Sequence, residues 1–179
     1  MDIWTLPERL TVDGTDYPIN WEYRQVLSVL AILSDESKPL WQRWFGAVAR
    51  FYAAPVPAEH LQSAMAKLSD FITMGRLGRP GPKLFDWALD APEIISDVNR
   101  VAGCELRKEN LHWWTFLGWF HAIGEGQLSF LVGLRSKLRR GEKLTEGEQE
   151  FYRQHPDRVK LPTPADPEKQ RLEELLNWR

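Results

Sequence analysis

The stretch Asn110-Leu111-His112-Trp113-Trp114-Thr115-Phe116-Leu117-Gly118-Trp119-Phe120-His121 decides how the rest of the chain is read. Five aromatics and two histidines crowd into it. On a helix, Leu111, Trp114, Gly118 and His121 share one face, with Thr115 and Ile123 close by. Trp113, Phe116, Leu117 and Phe120 take the adjoining face. The apolar surface therefore wraps most of the cylinder, which a solvent-facing helix does not do. This segment reads as central core, or as core plus a partner-binding face.

Composition bounds what surrounds it. At 179 residues, 43% hydrophobic and 27% charged, the chain is long enough for one domain with a real core. Nine tryptophans supply large buried area per residue. A net charge of −2 argues against bulk electrostatic binding to nucleic acid and leaves only a local patch as a route. The single cysteine, Cys104, excludes an intrachain disulfide and a cysteine-based zinc cluster. It reads as a small apolar core residue rather than a catalytic thiol. Met1-Asp2-Ile3-Trp4 lacks the basic start and apolar stretch of a signal peptide. No apolar run approaches the roughly 20 residues of a membrane span. The expectation is a soluble, cytosolic protein.

From the N-terminus, Leu10-Thr11-Val12 and Tyr17-Pro18-Ile19 flank Asp13-Gly14, a pair that favours a tight hairpin turn. Asn20 is placed as the N-cap of a helix from Trp21 to about Leu33, with Tyr23, Val26, Leu27, Leu30 and Leu33 inward. A second helix runs from Pro39 to Tyr52, with Leu40, Trp44, Ala47, Val48 and Phe51 as its inner stripe and Trp41 and Phe45 beside them. A third spans roughly Ala58 to Met74. Gly75 to Lys83 breaks the pattern and reads as a basic hinge loop. It lacks the Gly-Lys-Ser/Thr order of a phosphate-binding loop.

Beyond it, a helix over Ala91–Ala102 has Pro92 in its first turn and Gly103 at its exit. The tryptophan helix follows over about Lys108–Ile123, then a helix over Gln127–Arg140 stopped by Gly141. Thr145 with Glu148 forms a capping box for a short helix through His155, closed by Pro156. Leu161 to Pro167 is Pro-rich and extended, and Pro167–Trp178 has the pattern of a last helix that packs either on its own core or on another molecule. The fold class is thus all-α (mainly helical), with about seven to eight helices and a small N-terminal β-hairpin. The organisation reads as 1–74 (hairpin and three helices), 75–83 (linker), 84–160 (second helical group) and 161–179 (linker and terminal helix), within one globular unit.

Chemistry is thinly represented. His112 and His121 lie nine residues apart, on nearly opposite helix faces, and no His-Glu-x-x-His spacing occurs. His60 and His155 are isolated. Asp86 and Asp90 stand at i and i+4 but read as local capping. No catalytic, metal-ligating or cofactor-binding residues are assigned, and an enzyme is not expected. The run Arg135, Lys137, Arg139, Arg140, Lys143 reads as a solvated helix face, or else as a contact for acidic helices or nucleic acid.

Taken together, these residues resemble a family of small phage tail-assembly-chaperone-like proteins encoded just ahead of the tape-measure protein. The similarity runs through Thr11-Val12-Asp13-Gly14, Tyr17-Pro18-Ile19-Asn20 and Tyr23-Arg24. It continues through Phe85-Asp86-Trp87, Asp90, Ile94-Ile95, Gly103, Leu106, the Leu111-His112-Trp113-Trp114-x-Phe116 block, Leu134-Arg135 and Phe151-Tyr152. The chain departs from the family pattern at Val98 and Val101, where an aromatic is usual, and at Cys104-Glu105, where Ile-Asp is. The resemblance implies a non-enzymatic helical protein of the host cytoplasm, absent from the finished virion. It would keep the tape-measure protein soluble until tail-tube protein polymerises around it. A second tail-assembly chaperone or a further copy of the chain are additional candidate partners. The expected contact residues are Trp113, Trp114, Arg135, Arg139 and Arg140, together with Leu172, Leu175 and Trp178 of the terminal segment. Two rival roles are a minor tail or connector protein retained in the particle and a helical nucleic-acid-binding protein.

Overall fold

The computed structural model describes residues 4–76 and 81–161. Over these the chain is mainly α-helical, with eight α-helices and one two-stranded antiparallel hairpin, the class the sequence predicts. It divides into two compact units, residues 4–76 with His112–Trp114 and residues 81–111 with 115–161.

In the first unit, β1 (Arg9–Val12) pairs with β2 (Thr15–Pro18) in the register Leu10↔Tyr17 and Val12↔Thr15. Asp13 and Gly14 both take positive φ, 46° and 83°. That is the turn whose twist matches two antiparallel strands. Leu10, Val12 and Tyr17 are buried while Arg9 and Thr11 face water, the alternation of a half-covered sheet. A lone hairpin is marginal in water, and here the helices anchor it. The Ala53 amide donates to Pro18 O at 2.9 Å and the Asn20 amide to Phe51 O at 2.8 Å.

Helices α1 (Tyr23–Ser34), α2 (Leu40–Phe51) and α3 (Leu61–Ile72) follow, with a 3-10 turn over Ala58–His60. Asn20 does not cap α1. Its side chain donates to Arg50 O at 2.8 Å, at the C-terminal end of α2, and Glu22 is the cap instead. The Glu22 carboxylate accepts the free amides of Arg24 and Gln25, which an acidic group does as well as an amide oxygen at a helix start. Tyr23, Val26 and Val29 are the buried residues of α1, so its inward stripe is rotated from the leucines expected to form it. Gly46 permits the close approach of α1 and α2, since a Cβ there would stand 3.2 Å from Ile32 Cγ2.

The second unit holds α4 (Ala91–Ala102), a 3-10 turn over Leu106–Lys108, most of α5 (Trp113–His121), α6 (Gln127–Arg140), α7 (Glu146–Gln154) and α8 (Pro156–Val159). Helix α7 stops before Pro156, as the sequence predicts, and Pro156 then opens the short α8, as a first-turn proline can. Gly103 and Gly141 end α4 and α6 in the left-handed conformation, and Thr145 and Glu148 close the capping box. Phe85, Trp87, Phe116 and Phe120 form an aromatic cluster, with the Trp87 and Phe120 rings 4.9 Å apart.

Two polar devices close this unit. The N-cap of α6 is Gly126, which has no side chain to offer. Asp97 of α4 supplies the missing acceptor, taking the Leu128 amide at 2.9 Å and the Gln127 amide at 3.3 Å. A Cβ on Gly126 would lie 2.5 Å from both Asp97 carboxylate oxygens, so glycine is required by the approach itself. Arg135, read from sequence as part of a surface contact, is instead buried. Its guanidinium meets the Asp90 carboxylate at 2.6 and 2.8 Å and donates to the carbonyls of Leu84, Arg158 and Val159. Five donors fixed in a plane let one side chain satisfy several buried acceptors at once.

Arg135→Ala leaves the Asp90 charge buried without its partner and should cost about 3–5 kcal/mol in urea unfolding. Exposed Arg139→Ala should stay within about 0.5 kcal/mol. Gly126→Ala should cost about 1–3 kcal/mol by overpacking against Asp97.

Candidate partner-binding surface

The two tryptophans expected at a contact face are core residues. Trp113 and Trp114 are 1% and 3% exposed. The C-terminal turn of α3 presents carbonyls with spare acceptor capacity, and the two indoles take it up, at Phe71 O alongside the Met74 amide at 3.3 Å. Trp113 Nε1–H donates to Ile72 O at 2.9 Å and Trp114 Nε1–H to Phe71 O at 2.8 Å. A buried indole must place its N–H, so burial here fixes the position of both rings. These side chains are structural in this conformation.

His112 completes the arrangement. Its ring stacks on Trp21 at 5.6 Å and meets Phe71 edge-on at 5.6 Å. The Trp114 amide donates to Nδ1 at 3.1 Å, so Nε2 carries the proton and donates to Pro7 O at 3.1 Å. Both nitrogens are satisfied with the ring neutral. Burial accordingly holds the His112 pKa below its ordinary 6.5.

The other expected contacts divide. Arg139 and Arg140 are exposed, and Arg140 pairs with Glu142. Lys137 pairs with Glu148 at 2.6 Å. With Arg135 inside, the basic run presents no continuous cationic face. Asp86 caps locally through the Ala88 and Leu89 amides, and Asp90 accepts the Asp86 amide at 2.9 Å while also pairing with Arg135. Cys104 is half-buried. Leu172, Leu175 and Trp178 lie outside the described residues, as does part of the Gly75–Lys83 loop.

Of the inner stripe read from the sequence, Ala47, Val48 and Phe51 are buried, but Leu40 and the flanking Trp41 and Phe45 form the largest apolar exposure in the first unit beyond its N-terminal residues. Leu40, Trp41 and Phe45 of α2 are 56%, 66% and 59% exposed. The buried arc of α2 is Ala47, Val48 and Phe51. The apolar side chains of this helix cover both arcs, and packing onto α1 uses one of them. Beside Phe45 opens a groove of roughly 340 Å³ floored by Val48 and Tyr52 and walled by Pro55, Val56 and Leu61. No charged side chain lines it. The Tyr52 hydroxyl donates to Ala64 O at 3.0 Å, and burial pushes its pKa well up, so the floor stays neutral. Trp41, Phe45, Val48 and Tyr52 follow 4-3-4 spacing, the seam against which a second helix packs.

A second hollow, in the other unit, is bordered by Asp97, Arg100, Phe130, Phe151 and Arg158. Its charged groups are already engaged. Asp97 caps α6, Arg100 donates to Ile123 O and Glu125 O, and Arg158 pairs with Glu93. The α2 face is therefore the candidate surface. Among the described residues no helix is long and apolar enough to cross a membrane, and no group of three His, Cys, Asp or Glu could hold a metal ion. Compared with protein families, curated proteins and solved structures, the chain matches none.

Trp114→Ala should lose about 3–5 kcal/mol of stability through the cavity and the lost indole hydrogen bond to Phe71 O. The His112 contribution is present above pH 6.5 and falls away as pH drops through the lower folded-state pKa, because the unfolded ring takes up its proton first. Urea midpoints should therefore decline between pH 7.5 and 5.5, and a His112→Asn chain should show a flatter decline.

Proposed function

We propose that this chain is a non-catalytic assembly protein that binds amphipathic helices of a partner on its α2 face. In the setting that the family resemblance implies, the partner is a phage tape-measure protein, held soluble in the host cytoplasm until the tail tube forms. The observation that carries this reading is the exposure of Leu40, Trp41 and Phe45 beside a groove with no charged lining. A contiguous apolar surface of this kind on a folded helix marks an interaction site more often than an accident of composition. Large aromatics at the centre of a helix-in-groove contact carry most of its affinity.

This reading moves the contact away from the Trp113/Trp114 pair and the Arg135 side chain, which are committed to the interior. Arg139 and Arg140 remain available at the surface, where charge steers encounter more than it holds a complex.

Co-expression with the tape-measure protein followed by pull-down tests it. The partner should be soluble only alongside this chain. Trp41→Glu with Phe45→Glu should weaken the pull-down at least about 10-fold, the scale of losing a hot spot of about 2 kcal/mol. Circular dichroism of the variant should be unchanged, because both side chains already face water. Undiminished binding by a folded Trp41→Glu/Phe45→Glu chain would remove the α2 face from the proposal.

A further inference from the structure

The exposed face of α2 is bulky at one end and open at the other. In helical spacing Trp41, Phe45, Ala49 and Tyr52 fall along one arc. Trp41 and Phe45 project from it, 66% and 59% exposed. Ala49 is exposed too but carries only a methyl group, and it lies in the groove of roughly 340 Å³ that Phe45, Pro55, Val56 and Leu61 also line. A knob and a hollow thus share one surface, about 12 Å apart along the helix. An antiparallel two-fold with Phe45 near its axis sets Trp41 of each copy opposite Ala49 of the other. A parallel pair would face tryptophan with tryptophan and alanine with alanine, crowding one end and leaving the other empty. A two-fold contact needs a surface that complements itself, and large against small at both ends meets that need.

Charge does not oppose this pairing. Helix α2 has no carboxylate, and its two arginines are engaged against α1. Arg43 donates to Leu33 O at 3.1 Å and Arg50 to Ser28 Oγ at 3.0 Å. No charged side chain lines the groove. Two copies meeting here therefore bury neither a lone ion nor a pair of like charges. The area suffices for a small, specific contact. Trp41 and Phe45 expose roughly 300 Å² per copy. Exposed Gln42, Ala49, Ala53 and Pro55 bring the total for the pair to about 1,000 Å², where specific interfaces begin.

We infer that α2 of one copy packs antiparallel on α2 of a second, with Trp41 of each seated in the groove of the other. The free protein is then a dimer that keeps its own apolar face covered. Because the contact is near the lower size limit, the dimer dissociates in the micromolar range, loosely enough for a partner helix to take its place. That exchange rests on the function proposed above; the dimer itself does not.

Sedimentation equilibrium of the full-length chain over about 1–200 µM tests the contact. The mass should rise from one copy to two and stop there, because a two-fold closes. Trp41→Ala alone should weaken the dimer at least about 10-fold by emptying the groove, and Ala49→Trp alone by filling it. Trp41→Ala combined with Ala49→Trp again sets large against small and should regain most of the loss. Circular dichroism should be unchanged throughout, since both positions face water. In a Cys104→Ser background, Phe45→Cys should oxidise to a cross-linked dimer at least about 10-fold faster than Ala66→Cys, an exposed position on α3. A monomer at about 200 µM, a double substitution no better than either single one, or equal cross-linking by the two cysteines would overturn the inference. Added tape-measure protein should convert the dimer into a complex holding one copy of this chain. A partner that fails to bind, or binds with the dimer intact, would instead sink only the proposed function.

Discussion

The carbonyl oxygens of Phe71 and Ile72, at the end of α3, each take an indole N–H from outside the helix, Ile72 O from Trp113 and Phe71 O from Trp114 in addition to the Met74 amide at 3.3 Å. Leaving such groups unpaired costs about 1–3 kcal/mol each. Two indole N–H groups meet them, and the geometry of the first unit follows from that. To reach both carbonyls, Trp113 and Trp114 must be adjacent, and His112 must lie where its ring packs on Trp21 and Phe71. The histidine then spends both nitrogens on backbone groups, Pro7 O and the Trp114 amide. The Leu-His-Trp-Trp block is thus a hydrogen-bonding device built of aromatic side chains. Its hydrophobic burial and its polar satisfaction are the same event.

The second unit solves the same problem by other means. Asp97 supplies a cap that Gly126 cannot, and Arg135 gathers Asp90 and three carbonyls into one buried cluster. In each case a side chain from one element satisfies the backbone of another. Such contacts specify which helices neighbour which, where apolar packing alone would accept several arrangements. The α2 face is different in kind, because its exposed side chains are apolar and no polar group there needs a partner within the first unit.

Local chemistry was legible in the sequence. The Asp13-Gly14 turn, Pro92 and Gly103 around α4, Gly141 after α6, and the Thr145–Glu148 box all depend on residues within a few positions of each other. What failed depends on residues far apart. Periodicity shows that α2 is apolar over a wide arc, but not which part faces α1, so it puts Leu40 in the inner stripe although that side chain faces water. Charge in a basic run suggested solvent, but Arg135 finds Asp90 from 45 residues away. The glycine at 126 carried a signal that went unread. A helix beginning at Gly-Gln-Leu with no capping side chain needs an acceptor from elsewhere, and Asp97 was the buried acid of α4 able to give it.

The indole bonds also bear on synthesis. Trp113 and Trp114 reach carbonyls 41 and 43 residues earlier in the chain. During translation α1, α2 and α3 emerge first, with Phe71 lacking the His112 and Trp114 rings and the carbonyls of Phe71 and Ile72 lacking their indole donors. The first unit cannot close until the ribosome has released the tryptophan pair, after all of α4 and the turn that follows it have been made. Nascent chains at that stage expose both the unfinished Phe71 side and the α2 face. A pause before residue 112 would prolong that exposure, and exposed apolar surface on an incomplete chain is what invites aggregation.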